Sequence, residues 1–150
     1  MAQIDSWLKS SISDLIRENR VRVWCATGAD GKLVGFYSLC AHQVEPEAAP
    51  VLAGRRRTAI PTVYLTALAV DGACQRQGIG GALMAHAIEK AIEVSDQIGA
   101  AALVLDVLRD EQFKRRKAFY LNLGFAETEP GGDRLYLTMN DARTALLAAT

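Results

Sequence analysis

The sequence predicts one α/β domain over residues 1–150, with helices packed on a mixed sheet. Three stretches lead to this class. Residues 63–70 form an apolar, β-branched and aromatic run that is short enough for a buried strand. Residues 79–92 then repeat apolar side chains at helical spacing. Residues 101–108 are nearly all apolar, as covered strands are. Strand, helix and strand in this order are typical of α/β proteins.

Composition excludes several functional classes. The chain is 50% hydrophobic and 23% charged, and its formal net charge is zero, so no overall field draws it to nucleic acid or to a membrane. No apolar run reaches the roughly 20 residues of a membrane span, and two histidines are too few for a histidine-rich metal cluster. Three widely spaced cysteines without a signal peptide indicate buried or free thiols in a reducing cytoplasm.

The chain opens with a helix and a hairpin. Residues 5–18 are predicted to form an amphipathic helix, because its apolar residues share one stripe. A strand over residues 21–27 and a second strand over residues 33–40 flank Asp30-Gly31, a strong hairpin-turn pair. The apolar stripe of the helix consists of Ile4, Trp7, Leu8, Ile12, Leu15 and Ile16.

Residues 43–61 form the longest irregular stretch of the prediction. The stretch contains three of the four prolines and the run Arg55, Arg56 and Arg57. A long loop in a compact domain is usually functional or mobile. Two interpretations stay open for the arginines, a solvated loop or a patch that contacts the phosphates of a nucleic-acid substrate.

A glycine-rich turn separates the strand over residues 63–70 from the helix that begins near Ile79. Its sequence is Gln75-Arg-Gln-Gly78-Ile-Gly80-Gly81. Helix N-termini present backbone N–H groups without intrahelical partners, and glycines let an anion approach them closely. The turn lacks the Gly-Lys-Ser/Thr of a Walker loop, and Leu83 stands where a dinucleotide fingerprint requires its third glycine.

The second half continues the alternation of helices and strands. Gly99 is predicted to stop the long helix, and a further helix is expected over residues 111–123, ending at Gly124-Phe125. A turn over residues 130–133, a strand over residues 134–139 and a short helix over residues 141–149 complete the chain. The predicted order is α-β-β-loop-β-α-β-α-β.

Two motifs in order carry a family resemblance. Gln75-x-x-Gly78-x-Gly80 resembles the acetyl-CoA pyrophosphate loop of GNAT N-acetyltransferases, and Phe119-Tyr120-x-x-x-Gly124-Phe125 resembles the signature at the end of their last main helix. The resemblance covers essentially the whole chain. It implies the GNAT fold, a mostly antiparallel mixed sheet with a splayed central strand pair. It also implies acetyl-CoA as cosubstrate, without a metal.

Carried over by motif, the resemblance implies specific roles. Tyr120 would protonate the leaving coenzyme A thiolate, and a strand N–H near Val70 would stabilise the oxyanion. The residues implied to bind acetyl-CoA are Leu68, Ala69 and Val70 along the pantetheine, and Gln75, Arg76, Gln77, Gly78, Ile79, Gly80 and Gly81 at the pyrophosphate.

A narrower resemblance concerns the acceptor. Asp5-x-Trp7-Leu8, Leu68-Ala69-Val70-Asp71 and both motifs are similar to GNAT toxins of bacterial toxin–antitoxin modules. These toxins acetylate the amino group of aminoacyl-tRNA and pair with ribbon-helix-helix antitoxins. Arg55, Arg56 and Arg57 would then contact tRNA. The alternatives are acetylation of a small-molecule, protein or peptide amine, or a non-catalytic acyl-CoA-binding module. Monomer and homodimer both stay open.

The acceptor chemistry favours an amine of low pKa. A free α-amino group has a pKa of about 7.7–8.0, so little general base is needed, whereas a lysine side chain near about 10.4 requires one. Asp106 is the only carboxylate inside a predicted core strand. It is therefore the one candidate base, with a strand-end structural role as the alternative. A second basic cluster, residues 114–117, lies on the helix of Tyr120.

Overall fold

A computed structural model of the protein describes residues 11–149. The helices are α1 (Ser13–Arg17), α2 (Pro50–Ala53), α3 (Ile79–Ile98), α4 (Phe113–Asn122) and α5 (Met139–Ala149). The strands are β1 (Arg22–Thr27), β2 (Leu33–Val44), β3 (Ile60–Val70), β4 (Ala102–Asp106), β5 (Ala126–Glu127) and β6 (Arg134–Thr138). In these 139 described residues, no helix combines the length and apolar composition needed to cross a membrane.

The strands form one six-stranded sheet in the order β1-β2-β3-β4-β6-β5. Three neighbouring pairs are antiparallel: β1 with β2, β4 with β6, and β5 with β6. β3 and β4 are parallel, with Thr62 opposite Ala102 and Tyr64 opposite Val104. Parallel strands need a crossover, and α3 supplies it. The predicted mixed α/β class is therefore confirmed, while the splay of the central pair stays a prediction.

The described chain forms two compact units. The first contains residues up to 41 together with residues 65–87. Its hairpin closes as predicted, with the Gly28 N–H donating to the Lys32 carbonyl and with Gly31 at a φ of +80°. Phe36 and Tyr37 of β2 are fully buried, and so is Met84 of α3. The buried positions coincide with the apolar positions of the sequence, so the periodicity correctly predicted which face of α3 and of the hairpin is buried.

The second unit contains residues 42–64 and residues 88–149. All residues from Ala102 to Leu105 are buried, as their uninterrupted apolar run predicts. A small core, composed of Val44, Ala49, Ala102 and Val104, receives further packing from Leu52, Tyr64 and Tyr136. The prediction of one domain over residues 1–150 stays a prediction.

The irregular stretch predicted over residues 43–61 is shorter in the structure. β2 continues to Val44, which is buried, and β3 already begins at Ile60. Between them Pro50 opens α2, a position that suits proline because its missing N–H would have no helical partner. Buried Ala49 fastens this short helix to the small core. Tertiary contacts thus order a segment whose local sequence reads as a loop.

Other boundaries shift by a few residues. The expected helix over residues 5–18 is described from Ser13 onward as α1, and its first part lies outside the described residues. α5 begins at Met139 rather than 141. β5 was not predicted, because two residues are too few to display a strand period.

Candidate functional site

The glycine-rich turn closes back on the end of β3. The Asp71 N–H donates to the Val34 carbonyl over 2.8 Å, and the Cys74 N–H donates to the Asp71 carbonyl over 2.9 Å. The side-chain amide of Gln75 donates to the Val70 carbonyl over 3.3 Å. The first bond joins the end of β3 to β2, the second closes the segment before the turn, and the third joins the turn to β3, the strand to which the family resemblance assigns pantetheine. The Gln75 side chain therefore holds the loop in shape.

Two residues of the turn have left-handed backbone conformations. Arg76 has a φ of +68° and Gly78 a φ of +78°. A Cβ added at Gly78 would meet no atom within 4 Å, so glycine is favoured there by conformation and not by space. Left-handed residues within a turn curl the chain, so that successive N–H groups point into one concavity and bind anions.

α3 begins directly after this curl. The first intrahelical bond runs from the Ala82 N–H to the Gly78 carbonyl over 3.1 Å. By helix geometry the N–H groups of Ile79, Gly80 and Gly81 then lack intrahelical acceptors. α3 has 20 residues, long enough for its dipole to favour negative charge at this end. The structure thus brings the predicted residues from Gln75 to Gly81 together in one curled turn at the N-terminus of α3. Their role in binding the pyrophosphate stays a prediction.

Tyr120 lies near the end of α4 and is largely buried. Its ring meets the Phe119 and Phe125 rings edge to face, at centroid distances of 5.1 and 5.9 Å. Burial raises the pKa of Tyr120 to about 12, and the positive charge of Arg116 opposes the shift. The phenol therefore stays protonated across the physiological pH range.

The helix end explains the spacing of the aromatic motif. Gly124 has a φ of +105°, and its N–H donates to the Leu121 carbonyl while the Phe125 N–H donates to the Tyr120 carbonyl. This left-handed stop folds the chain back. Phe125, only 4% exposed, is then the deeply buried ring of the motif, whereas Phe119 is only partly buried.

Asp106 does not have the properties of a general base. It accepts two hydrogen bonds from the Arg134 guanidinium, each 2.8 Å, and one from the Tyr64 hydroxyl over 2.7 Å. The hydrogen bond from Arg134, aided by Tyr64, lowers the pKa of Asp106 against the opposing effect of burial. A carboxylate held this way is a weak proton acceptor. Of the two interpretations, the structural role is the one that the geometry supports. Sequence inspection missed its partners, since they lie on other strands.

The two basic clusters differ. Arg55, Arg56 and Arg57 follow α2 and are all exposed. In the cluster over residues 114–117, however, two of the four cations serve the fold. Arg116 pairs with Asp110 over 2.8 Å. Buried Lys117 pairs with Glu127 and donates to the Gly132 carbonyl over 2.7 Å. Only the arginine run keeps its whole charge at the surface.

The first unit also contains a cavity of about 650 Å³ that was not predicted. Trp24 and Tyr37 line it and stack at 5.1 Å, and the Tyr37 hydroxyl is hydrogen-bonded to His86 Nδ1. Gln77 and Ile79 of the glycine-rich turn reach its wall. The only signal for this cavity in the sequence is that the predicted hairpin places two large aromatic residues, Trp24 and Tyr37, opposite each other.

The chain is similar in sequence to known proteins. The family described as Acetyltransferase (GNAT) domain matches residues 19–127. A protein of Sinorhizobium fredii named "Probable toxin TacT" is 28% identical over 96% of this chain and 83% of its own length. A Mycobacterium tuberculosis protein named "tRNA-acetylating toxin" is 34% identical over 80% of this chain and 70% of its own.

Solved structures share the fold. One is a mutant of the toxin AtaT bound to the C-terminus of the antitoxin AtaR and to acetyl-CoA. It has a TM-score of 0.76 and 23% identity, and the match covers 97% of this chain and 84% of that one. At this identity the likeness concerns the fold alone.

Proposed function

This chain belongs to the GNAT acetyltransferase family, and from that premise we propose that it transfers the acetyl group of acetyl-CoA to the amino group of aminoacyl-tRNA. The observation that carries the proposal is the turn over residues 75–81, whose curled backbone faces the N-terminus of a long helix. A pyrophosphate is an anion of the kind that such a turn binds. The relative named "tRNA-acetylating toxin" supports the choice of acceptor.

In this proposal the turn binds the pyrophosphate, and β3 binds the pantetheine. The N–H groups of Arg76, Gln77, Gly78, Ile79, Gly80 and Gly81 are the donors, while Gln75 keeps the turn fastened to Val70. Leu68, Ala69 and Val70 would offer backbone groups to the pantetheine amides. When bound, acetyl-CoA supplies an activated acyl group as a thioester.

Tyr120 is proposed as the acid that protonates the leaving thiolate. Its pKa of about 12 keeps the proton on the phenol at neutral pH. A free thiol has a pKa of about 8.5, so complete transfer to a free thiolate would be uphill. The phenol therefore donates its proton while the carbon–sulfur bond breaks, and the tyrosinate that remains regains a proton from solvent, because its pKa of about 12 lies far above neutral pH. A backbone N–H near Val70 is proposed to stabilise the oxyanion.

The acceptor amine requires little assistance. An α-amino group has a pKa of about 7.7–8.0, so a substantial share is neutral at pH 7.5. Asp106, ion-paired with Arg134, is excluded from the role of base in this mechanism. The attacking amine loses its proton to water after the carbon–nitrogen bond forms. A lysine side chain, with a pKa of about 10.4, would be a much poorer acceptor.

The exposed arginine run provides the charge that a tRNA substrate needs. Arg55, Arg56 and Arg57 are exposed. They follow directly after α2, whose residue Leu52 packs against the small core. Phosphate contacts position a nucleic acid and make its binding salt-dependent. We further propose that the enzyme acts in the cytoplasm, where both substrates occur, as the toxin of a module whose antitoxin has a ribbon-helix-helix fold.

The test supplies labelled acetyl-CoA, purified protein and a total pool of aminoacyl-tRNA. Label that enters the RNA fraction, and that is absent when the tRNA is deacylated beforehand, supports the proposal. Label that enters only small amines or peptides would contradict the tRNA acceptor and support the alternative, an acetyltransferase for small-molecule, protein or peptide amines. Binding of acetyl-CoA without transfer to any acceptor would favour a non-catalytic module.

A further inference from the structure

An aromatic pair lies on the second unit, away from the glycine-rich turn in sequence. His42 of β2 stacks on Tyr64 of β3, with ring centroids 4.6 Å apart and planes inclined by 27°. His42 Nδ1 lies 3.1 Å from the hydroxyl oxygen of Thr62. Both rings are only partly buried. We call His42 and Tyr64 the aromatic platform.

Hydrogen bonds from both rings fix the orientation of the platform. The Tyr64 hydroxyl donates to Asp106 over 2.7 Å, and Asp106 is fixed in turn by two hydrogen bonds from Arg134. The contact with Thr62 sets the plane of the imidazole. A preorganised ring loses little rotamer freedom when a ligand stacks on it. Burial, together with Arg134, lowers the pKa of His42, so the ring is neutral at pH 7.

The platform and the arginine run share one support. Tyr64 and Leu52 both pack against the small core that contains Ala49. Arg55 follows Leu52 by three residues, and all these residues lie in the second unit. Aromatic faces combined with exposed cations are the composition with which proteins bind single-stranded nucleic acids.

We propose that His42, backed by Tyr64, is a stacking subsite for an unpaired base at the single-stranded 3′ end of the tRNA acceptor. This inference rests on the proposed function and specifies how its substrate is recognised. Unstacked bases of RNA ends are bound through aromatic faces, histidine among them, whereas a base inside a duplex offers no free face. Stacking is tolerant of base identity, so the subsite fits an end that all tRNAs share.

Steady-state kinetics with two variants test the subsite. His42→Ala should raise the KM for aminoacyl-tRNA by about fivefold or more, because one base loses its stacking partner. His42→Phe keeps an aromatic face and should restore a KM close to the original. The KM for acetyl-CoA should stay unchanged in both. An unchanged KM for aminoacyl-tRNA in His42→Ala, or no rescue by His42→Phe, would overturn the inference.

A binding assay separates this inference from the proposed function. The probe is the single-stranded tetranucleotide ACCA carrying 2-aminopurine at its 3′ end, whose fluorescence is quenched by stacking. We expect quenching by the original protein and by His42→Phe, and at least a fivefold weaker affinity for His42→Ala. Absence of quenching by the original protein would overturn the subsite. If quenching occurs but aminoacyl-tRNA is not acetylated, the proposed reaction fails while the RNA subsite stands.

Discussion

Arg134 holds Asp106 in a two-pronged ion pair, with both hydrogen bonds at 2.8 Å. The two residues face each other across β6 and β4, and the Tyr64 hydroxyl completes the set. This pair explains why Asp106, the candidate base that the sequence suggested, is a poor proton acceptor. It also fixes the end of β4, where Asp106 holds the Tyr64 hydroxyl of the aromatic platform.

Replacement of Asp106 by Asn should lower stability and preserve catalysis. The side chain is 34% exposed, so loss of the ion pair should reduce the free energy of unfolding by about 1–2 kcal/mol. Because the folded-state pKa of Asp106 is lowered, its contribution is present above the unfolded value near 3.9 and is lost as pH falls through the folded pKa. Urea unfolding at pH 7 and at pH 3 should show the difference between the proteins shrinking in acid. A large loss of kcat in a variant that still folds would contradict this prediction and indicate that Asp106 acts as a general base.

Replacement of Tyr120 by Phe removes one hydroxyl from a ring that packs on Phe119 and Phe125. General acids contribute about 10²–10⁴-fold, so kcat should fall by at least about 100-fold. The KM for acetyl-CoA and the melting temperature should change little. Stopped assays of coenzyme A release measure the effect. An unchanged kcat would show that Tyr120 is not the general acid.

The pH dependence follows from the same residue. With a pKa of about 12, Tyr120 keeps its proton throughout the usual assay range. The rate at low substrate concentration should rise with pH as the acceptor amine loses its proton, below about pH 8, and then stay level. A profile of kcat/KM from pH 6 to pH 10 checks this expectation. A fall between pH 8 and pH 10 would indicate an acid other than Tyr120.

Replacement of Gly78 by Ala should impair acetyl-CoA binding. The φ of +78° strains any residue with a Cβ by about 1–2 kcal/mol, so the curl of the turn should relax. We expect the KM for acetyl-CoA to rise by about tenfold, since each 1.4 kcal/mol of binding free energy is a factor of ten. Gly72→Ala is the matched control, because Gly72 has no positive φ and its Cβ would meet nothing within 4 Å. Equal KM values for the two variants would argue against the turn as the anion site.

Replacement of Arg55, Arg56 and Arg57 together by Ala should weaken the use of aminoacyl-tRNA in a salt-dependent manner. Each lost phosphate contact should reduce the slope of log KM against log salt by about 0.7–0.9. The KM for acetyl-CoA should not change. Arg17→Ala/Arg20→Ala, which removes two exposed cations paired locally with Asp14 and Glu18, serves as the control. Identical salt slopes in the triple variant and the original protein would refute the tRNA contact.

The sequence predicted the elements that depend on short-range pattern. The periodicity of α3, the apolar run of β4 and the Asp30-Gly31 turn each encode their own conformation, because backbone sterics and side-chain period act over a few residues. The same holds for Gly78 and Gly124, whose positive φ angles are local properties. The glycine-rich turn and the end of α4 were therefore recognisable as motifs.

Contacts between distant segments were decided only by tertiary structure. Asp106 was a candidate base until the fold placed Arg134, 28 residues later, on the neighbouring strand. Residues 50–53 became helical because buried Ala49 packs on β4 residues far away in sequence. His42 and Tyr64 stack because two strands bring them together. Such pairings depend on which strands adjoin and in what register, and no local pattern in one chain specifies that.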